Sequence, residues 1–159
     1  MNKQPQRSMG LTVEQWRQLT LEGAWIPVRI QLNGSSMQPL IRRLRDYVTV
    51  EPVKRKLKLG DVVLFADDAG RYVVHRVWKL EADRVITLGD NCRNPDLPLA
   101  YGQIWGLVTK LERGSIRVNL DSGASRLLGR VWMGLFPIRC LFYNIRACAG
   151  RIYRTMKGR

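Results

Sequence analysis

The sequence predicts a mainly β chain built from antiparallel strands, and three observations predict it. Between residues 25 and 120 the apolar side chains come in short runs rich in Val, Ile and aromatics, each closed by Gly, Pro, Asn or Asp. Such runs mark strands joined by turns. No helical repeat stands between them, so βαβ units and a parallel sheet are not expected. Helical spacing is confined to the two ends. The expected organisation is an N-terminal segment 1–24 with a short helix, a β domain over 25–120 and a basic amphipathic helical tail over 121–159. With 159 residues, 45% of them apolar and 25% charged, the chain is long enough for one core. That composition excludes disordered and collagen-like classes.

Each element has a local reason. Residues 12–23 form the first expected helix: Thr12 caps it, Glu14 and Gln15 lie near its start, and Gly23 stops it. Leu11, Trp16 and Leu19, with Val13 and Leu21, supply its apolar side. Strands are expected over 25–32, 47–53, 61–66, 72–80, 84–88, 103–111 and 115–120. Asn33-Gly34 breaks the first, and Asp67-Asp68-Ala69-Gly70 turns the third into the fourth. From Ala124 the period changes. Leu128, Val131, Trp132, Leu135, Ile138, Phe142, Ile145, Ala149, Ile152 and Met156 recur every three or four residues, and Pro137 is expected to kink the helix.

Charge is distributed unevenly. The chain carries 27 basic and 13 acidic side chains, a net +14, which points to an anionic partner. Residues 1–112 hold 17 basic and 12 acidic groups, whereas residues 113–159 hold 10 basic groups and one acid, Asp121. A basic helix with Trp and Phe has the composition of an interfacial membrane binder. Its apolar stripe equally suits packing on the β domain or on another subunit. An anionic membrane surface met through 124–157 is the expected partner, ahead of nucleic acid. Cys92, Cys140 and Cys148 make an odd set without a CxxC pair, so no disulfide framework, metal or cofactor is expected. No apolar signal segment follows Met1. The stretch 131–149 contains Arg139 and Arg146, each costing about 2.5–3.5 kcal/mol at the centre of a span. The expected location is therefore the cytoplasmic side, peripheral at the membrane.

Three features carry chemistry. Gly34-Ser35-Ser36-Met37-Gln38-Pro39 follows the first strand. A serine there is ordinarily a turn residue. The run is not the G-x-S-x-G elbow, because Gln38 stands in place of the second Gly. His75, the single histidine, lies inside an apolar run and on its own reads as a core residue. A serine hydroxyl becomes a nucleophile when a base takes its proton, and in a Ser-His pair that base is His75. The loop Gly89-Asp90-Asn91-Cys92-Arg93-Asn94-Pro95-Asp96 supplies two carboxylates. These are either turn formers or the group that orients an imidazole. Lys79 is a weaker candidate base, Arg42, Arg43 and Arg45 form a basic cluster, and Cys92 reads as incidental.

Taken in order, the Ser36-Met37-Gln38-Pro39 box, Gly60-Asp61-Val62-Val63, His75-Arg76-Val77, Gly89-Asp90-Asn91 with Asp96, and Ile104-Trp105-Gly106-Leu107-Val108 resemble the type I signal peptidase family over residues 28–112. That family is distantly akin to self-cleaving repressors of the LexA type. The resemblance implies a signal peptidase/LexA-like antiparallel β domain. It makes Ser36 the nucleophile and His75 the base, as in the archaeal and endoplasmic-reticulum branch. It makes Asp96 the carboxylate assisting the histidine and Asp90 a support of the loop. Met37, Gly34 and Ser35 would border the substrate cleft. Gly34 departs from the family's Ser two positions ahead of the nucleophile, leaving the second oxyanion donor open, with Ser35 a substitute. The implied activity is cleavage of a leader or signal segment from a precursor protein, with no cofactor. A LexA-like self-cleaving, DNA-linked regulator is the alternative, although the 33 residues ahead of Gly34 offer one clear helix, too little for a helix-turn-helix reader. A non-catalytic β domain binding membrane or RNA is another.

Overall fold

A computed structural model of the chain describes residues 11–139. The elements run α1 (Val13–Leu21), β1 (Val28–Gln31), β2 (Tyr47–Glu51), β3 (Val62–Ala66), β4 (Tyr72–Leu80), β5 (Arg84–Leu88), β6 (Leu99–Ala100), β7 (Ile104–Arg113), β8 (Ile116–Asn119) and α2 (Gly123–Gly134). The predicted class is the observed one: a curled, antiparallel sheet ordered β1-β2-β7-β3-β4-β5-β6, with β8 on β7. β7 is the spine. One edge pairs with β2, and the other takes β3 along its first half and β8 along its second. Strand β6 has two residues, too few to show a period in the sequence. Cys140, Cys148 and the expected tail positions from Phe142 onward lie outside the described residues.

Both faces of the sheet are covered, which is why β3 reads as an unbroken apolar run. Its alternation sends Val62 and Leu64 to one core with Trp16, Val48, Val50 and Val108. Val63 and Phe65 go to the other, with Val77, Val85 and Leu107. Helix α1 closes the first core. Thr12 and Gln15 form the expected capping box, and the wholly buried Trp16 donates Nε1–H to the Ile26 carbonyl at 2.7 Å. Met37 and Ile41 enter the same core from the turn after β1. The residues flanking Ser36 are thus anchored from beneath.

Polar ties hold the loops. Buried Asp46 accepts the Arg42 amide at 2.8 Å and the Arg42 and Arg113 guanidiniums. Burial pushes its carboxyl up, but these donors outweigh burial and hold it down at about 2. Arg42 is therefore structural, and Arg43 donates to Asn33 at 3.0 Å. Arg55 grips buried Asp61 at 2.7 Å and also Asp121, which Arg126 joins from α2.

Helix α2 seats its narrow side on the sheet. Gly129 lies against the Arg76 guanidinium, Met133 is buried, and Phe136 packs on Trp78 with ring centroids 5.9 Å apart. Gly60 has φ +92°, and a Cβ there would stand 2.7 Å from the Arg126 carbonyl, so a glycine lets the helix approach. The predicted apolar positions Leu128, Val131, Leu135 and Ile138 are exposed and do not pack on the β domain. The helix stops at Gly134, just ahead of Pro137, and helical bonding resumes with the Arg139 amide on the Leu135 carbonyl at 3.0 Å. No helix among the described residues is long and apolar enough to cross a membrane.

Candidate active site

His75 lies in the middle of β4 opposite Val63, on the face that carries Phe65. Its side chain is 8% exposed. Nδ1 meets Asp96 Oδ2 at 2.6 Å. The same carboxylate oxygen accepts the hydroxyl of wholly buried Thr87 at 2.6 Å, and the Asp96 amide donates to the Thr87 carbonyl at 2.9 Å. Asp96 is thus locked to β5 and aimed at the ring. Burial pushes the imidazole down, but the hydrogen bond and charge of Asp96, with a further contact from Cys92, overcome it and raise His75 to about 9. At neutral pH the ring is an imidazolium held by a carboxylate.

Ser36 starts the turn after β1 and is half-buried. The loop carrying Asp90 docks directly on it: the Asn91 amide donates to the Ser36 carbonyl at 2.7 Å, and Asn91 Nδ2 to the Ser35 carbonyl at 3.3 Å. Gly89 is the point of closest approach. A Cβ there would lie 2.9 Å from both His75 Nε2 and the Ser36 carbonyl, and 2.5 Å from Cys92 Sγ. His75 Nε2 and the Ser36 main-chain carbonyl therefore both border Gly89, which brings the imidazole and the Ser36 turn together. Among the described residues no hydrogen bond joins Ser36 Oγ to His75, and the Ser36 amide donates to no acceptor. Nucleophile–base bonds are often loose in ligand-free sites and tighten with substrate.

Asp90 is not at the ring. It is 3% exposed and takes both Nε (2.8 Å) and Nη2 (2.7 Å) of buried Arg76, while Arg76 Nη1 donates to the Gly60 carbonyl at 2.9 Å. The Asp90 carbonyl accepts from Trp132 Nε1 at 3.2 Å and from Arg139. The loop is clamped from β4 through its side chain and from α2 through its main chain.

Of the other predicted site residues, Gly34 and Ser35 are exposed beside the turn, with Gly34 bordering Ser36 Oγ: a Cβ there would stand 3.9 Å from it. Met37, expected at the cleft, is 1% exposed and belongs to the core, so it supports the turn from behind. Lys79 is solvent-exposed and pairs with Glu81 at 2.7 Å. Sequence reasoning passed over Thr87 and took Cys92 as incidental, although its thiol meets the imidazole. A threonine at an inward position of a β run was the signal for the first. Cys92, three residues beyond Gly89, offered none. Neither a family model nor a curated protein matches the sequence.

Proposed function

We propose that the chain is a serine endopeptidase of the type I signal peptidase kind, cutting a leader or signal segment from a precursor protein. The observation that carries the reading is the His75–Asp96 contact at 2.6 Å, with Nε2 of the same ring beside Gly89, which also borders the Ser36 carbonyl. A carboxylate on Nδ1 fixes the tautomer that leaves Nε2 to act as base, and it stabilises the imidazolium formed during attack. The antiparallel sheet supports the same family reading at the level of fold class.

In this reaction neutral His75 takes the Ser36 proton as Oγ bonds to the scissile carbonyl carbon. The carbonyl electron pair moves to oxygen, and the Ser36 amide, without another acceptor, donates to that oxyanion. Collapse breaks the C–N bond, His75 protonates the departing amine, and the acyl group stays on Ser36. Water attacks the ester with its proton passing to His75, which returns it to Ser36 as the acid product leaves. Asp96 is a positioning residue acting through His75. Asp90 and Arg76 hold the loop. Because His75 lies near 9, the base is available mainly on the alkaline side, and cleavage is expected to rise with pH from 7 to 9.

The test is a peptide library read by mass spectrometry at pH 9, together with a serine-directed fluorophosphonate. Wild type should cut and Ser36→Ala and His75→Ala should not, with circular dichroism showing all three folded. Cleavage surviving in either variant overturns the mechanism. Wild type that neither cuts nor labels overturns the activity.

A further inference from the structure

Helix α2 turns its apolar side outward. Leu127, Leu128, Val131 and Leu135 share one side of the helix, and Leu128 is 70% and Val131 55% exposed. Ile138 beyond them is exposed too. The opposite side, with Gly129 and Met133, is the buried one. A surface helix on a globular core normally does the reverse. Beside the stripe a groove of about 420 Å³ runs between residues 57–59 and α2, bordered by Leu59, Leu127, Lys58, Arg126 and Arg130. Arg126 is taken by Asp121. The Lys58 ammonium and the Arg130 guanidinium pair with no carboxylate among the described residues.

We propose that this face docks on an anionic phospholipid bilayer, with the stripe in the interfacial zone and Lys58 and Arg130 on headgroup phosphates. Charge selects this occupant. From residue 113 to the end the chain holds ten basic groups and one acid, and that acid, Asp121, is already bound by Arg55 and Arg126. A second copy would bring the same positive charge to the patch. So would residues 140–159, which carry Arg146, Arg151, Arg154, Lys157 and Arg159 and no carboxylate side chain. An anionic leaflet brings the opposite sign and an apolar layer beneath it. Docking of this kind requires nothing of Ser36 or His75.

Flotation of the full chain with phosphatidylcholine vesicles, with and without phosphatidylglycerol, tests the proposal. Wild type should float with the phosphatidylglycerol vesicles, weakly or not at all with phosphatidylcholine alone, and less as salt rises. Lys58→Gln with Arg130→Gln should weaken binding about 25-fold, about fivefold for each cation near the surface. Leu128→Glu with Val131→Glu, both exposed and clear of the active site, should abolish it while the circular dichroism stays native. Ser36→Ala should bind as wild type, so failure of the peptidase reading leaves this result intact. No binding to phosphatidylglycerol vesicles, or unchanged binding in both double variants, overturns the proposal. So does a wild-type dimer that Leu128→Glu with Val131→Glu dissociates, since the stripe is then a contact between copies.

Discussion

Asp96→Asn is expected to move the titration of His75 from about 9 to 6.5 or below. Burial is the largest influence on the ring and works against its charge, whereas Asp96 at 2.6 Å is the largest influence in its favour. The asparagine keeps the volume and a hydrogen-bonding group but removes the charge, so burial is left opposed by Cys92 alone. Raising the ring from the ordinary 6.5 to about 9 favours the imidazolium by about 3 kcal/mol, at about 1.4 kcal/mol per pH unit. Because the folded value lies above the unfolded one, that stabilisation is fully present below pH 6.5. It is lost progressively as pH rises to 9. The assay needs no substrate. His75 is the single histidine, so one imidazole resonance reports its titration by NMR, and urea unfolding across the same pH range reports the linked stability. At pH 7 about one wild-type molecule in a hundred holds the neutral base, which sets the size of the expected alkaline rise in cleavage. A wild-type midpoint at or below 6.5, or a midpoint that stays above 8 in Asp96→Asn, refutes the assignment of Asp96 as the orienting carboxylate.

Three further outcomes follow from the same contacts. Cys92→Ala should lower the His75 midpoint by less than Asp96→Asn does, measured by the same resonance, because the thiol is the lesser of the two contacts that raise it. Gly89→Ala pushes a methyl group against His75 Nε2, the Ser36 carbonyl and Cys92 Sγ, and should cut fluorophosphonate labelling about 100-fold, as misplacement near 1 Å does. Asp46→Asn should cost about 2 kcal/mol in urea unfolding at pH 7, since lowering the carboxyl from 3.8 to about 2 is worth about 1.4 kcal/mol per pH unit and Arg42 and Arg113 stay partly solvated. It should also remove the loss of stability that wild type shows as pH falls from about 4 to 2, the range between the ordinary carboxyl value and the lowered one.

Strand positions were legible because a strand's signal is local. Val62 to Phe65 alternate between two cores, the turns carry Gly, Asn and Asp, and Thr12 with Gln15 announces α1. What was not legible depends on contacts between distant segments. Nothing around Asp90 says that its side chain meets Arg76 and its carbonyl meets Trp132, and nothing around Cys92 or Thr87 says that they reach His75 and Asp96. The family resemblance of the Ser-Met box implies Met37 at the substrate cleft. The turn rotates it into the core instead. The 3–4-residue apolar period of α2 located a helix but not its facing. Facing is decided by Gly129, where only the absence of a side chain lets the helix settle on Arg76.

Those long-range contacts also join the two proposals mechanically. The Arg76–Asp90 pair is buried at both ends, and breaking one partner of such a pair costs about 3–5 kcal/mol, so the Asp90 side chain fixes one end of the loop that touches Ser36. The other hold on that residue is its carbonyl, gripped by Trp132 and Arg139 from the segment that bears the outward stripe. Helix α2 therefore carries the stripe proposed to face lipid and, through Trp132, holds the Asp90 loop, and its register on Gly129 and Gly60 links the two. A bilayer that seats the stripe also fixes Trp132 relative to Asp90, and through Asn91 the Ser36 turn. If this coupling operates, phosphatidylglycerol vesicles should shift the His75 resonance of wild type at constant pH and leave that of Leu128→Glu with Val131→Glu where it is. A wild-type resonance that does not move on full vesicle binding separates docking from the active site.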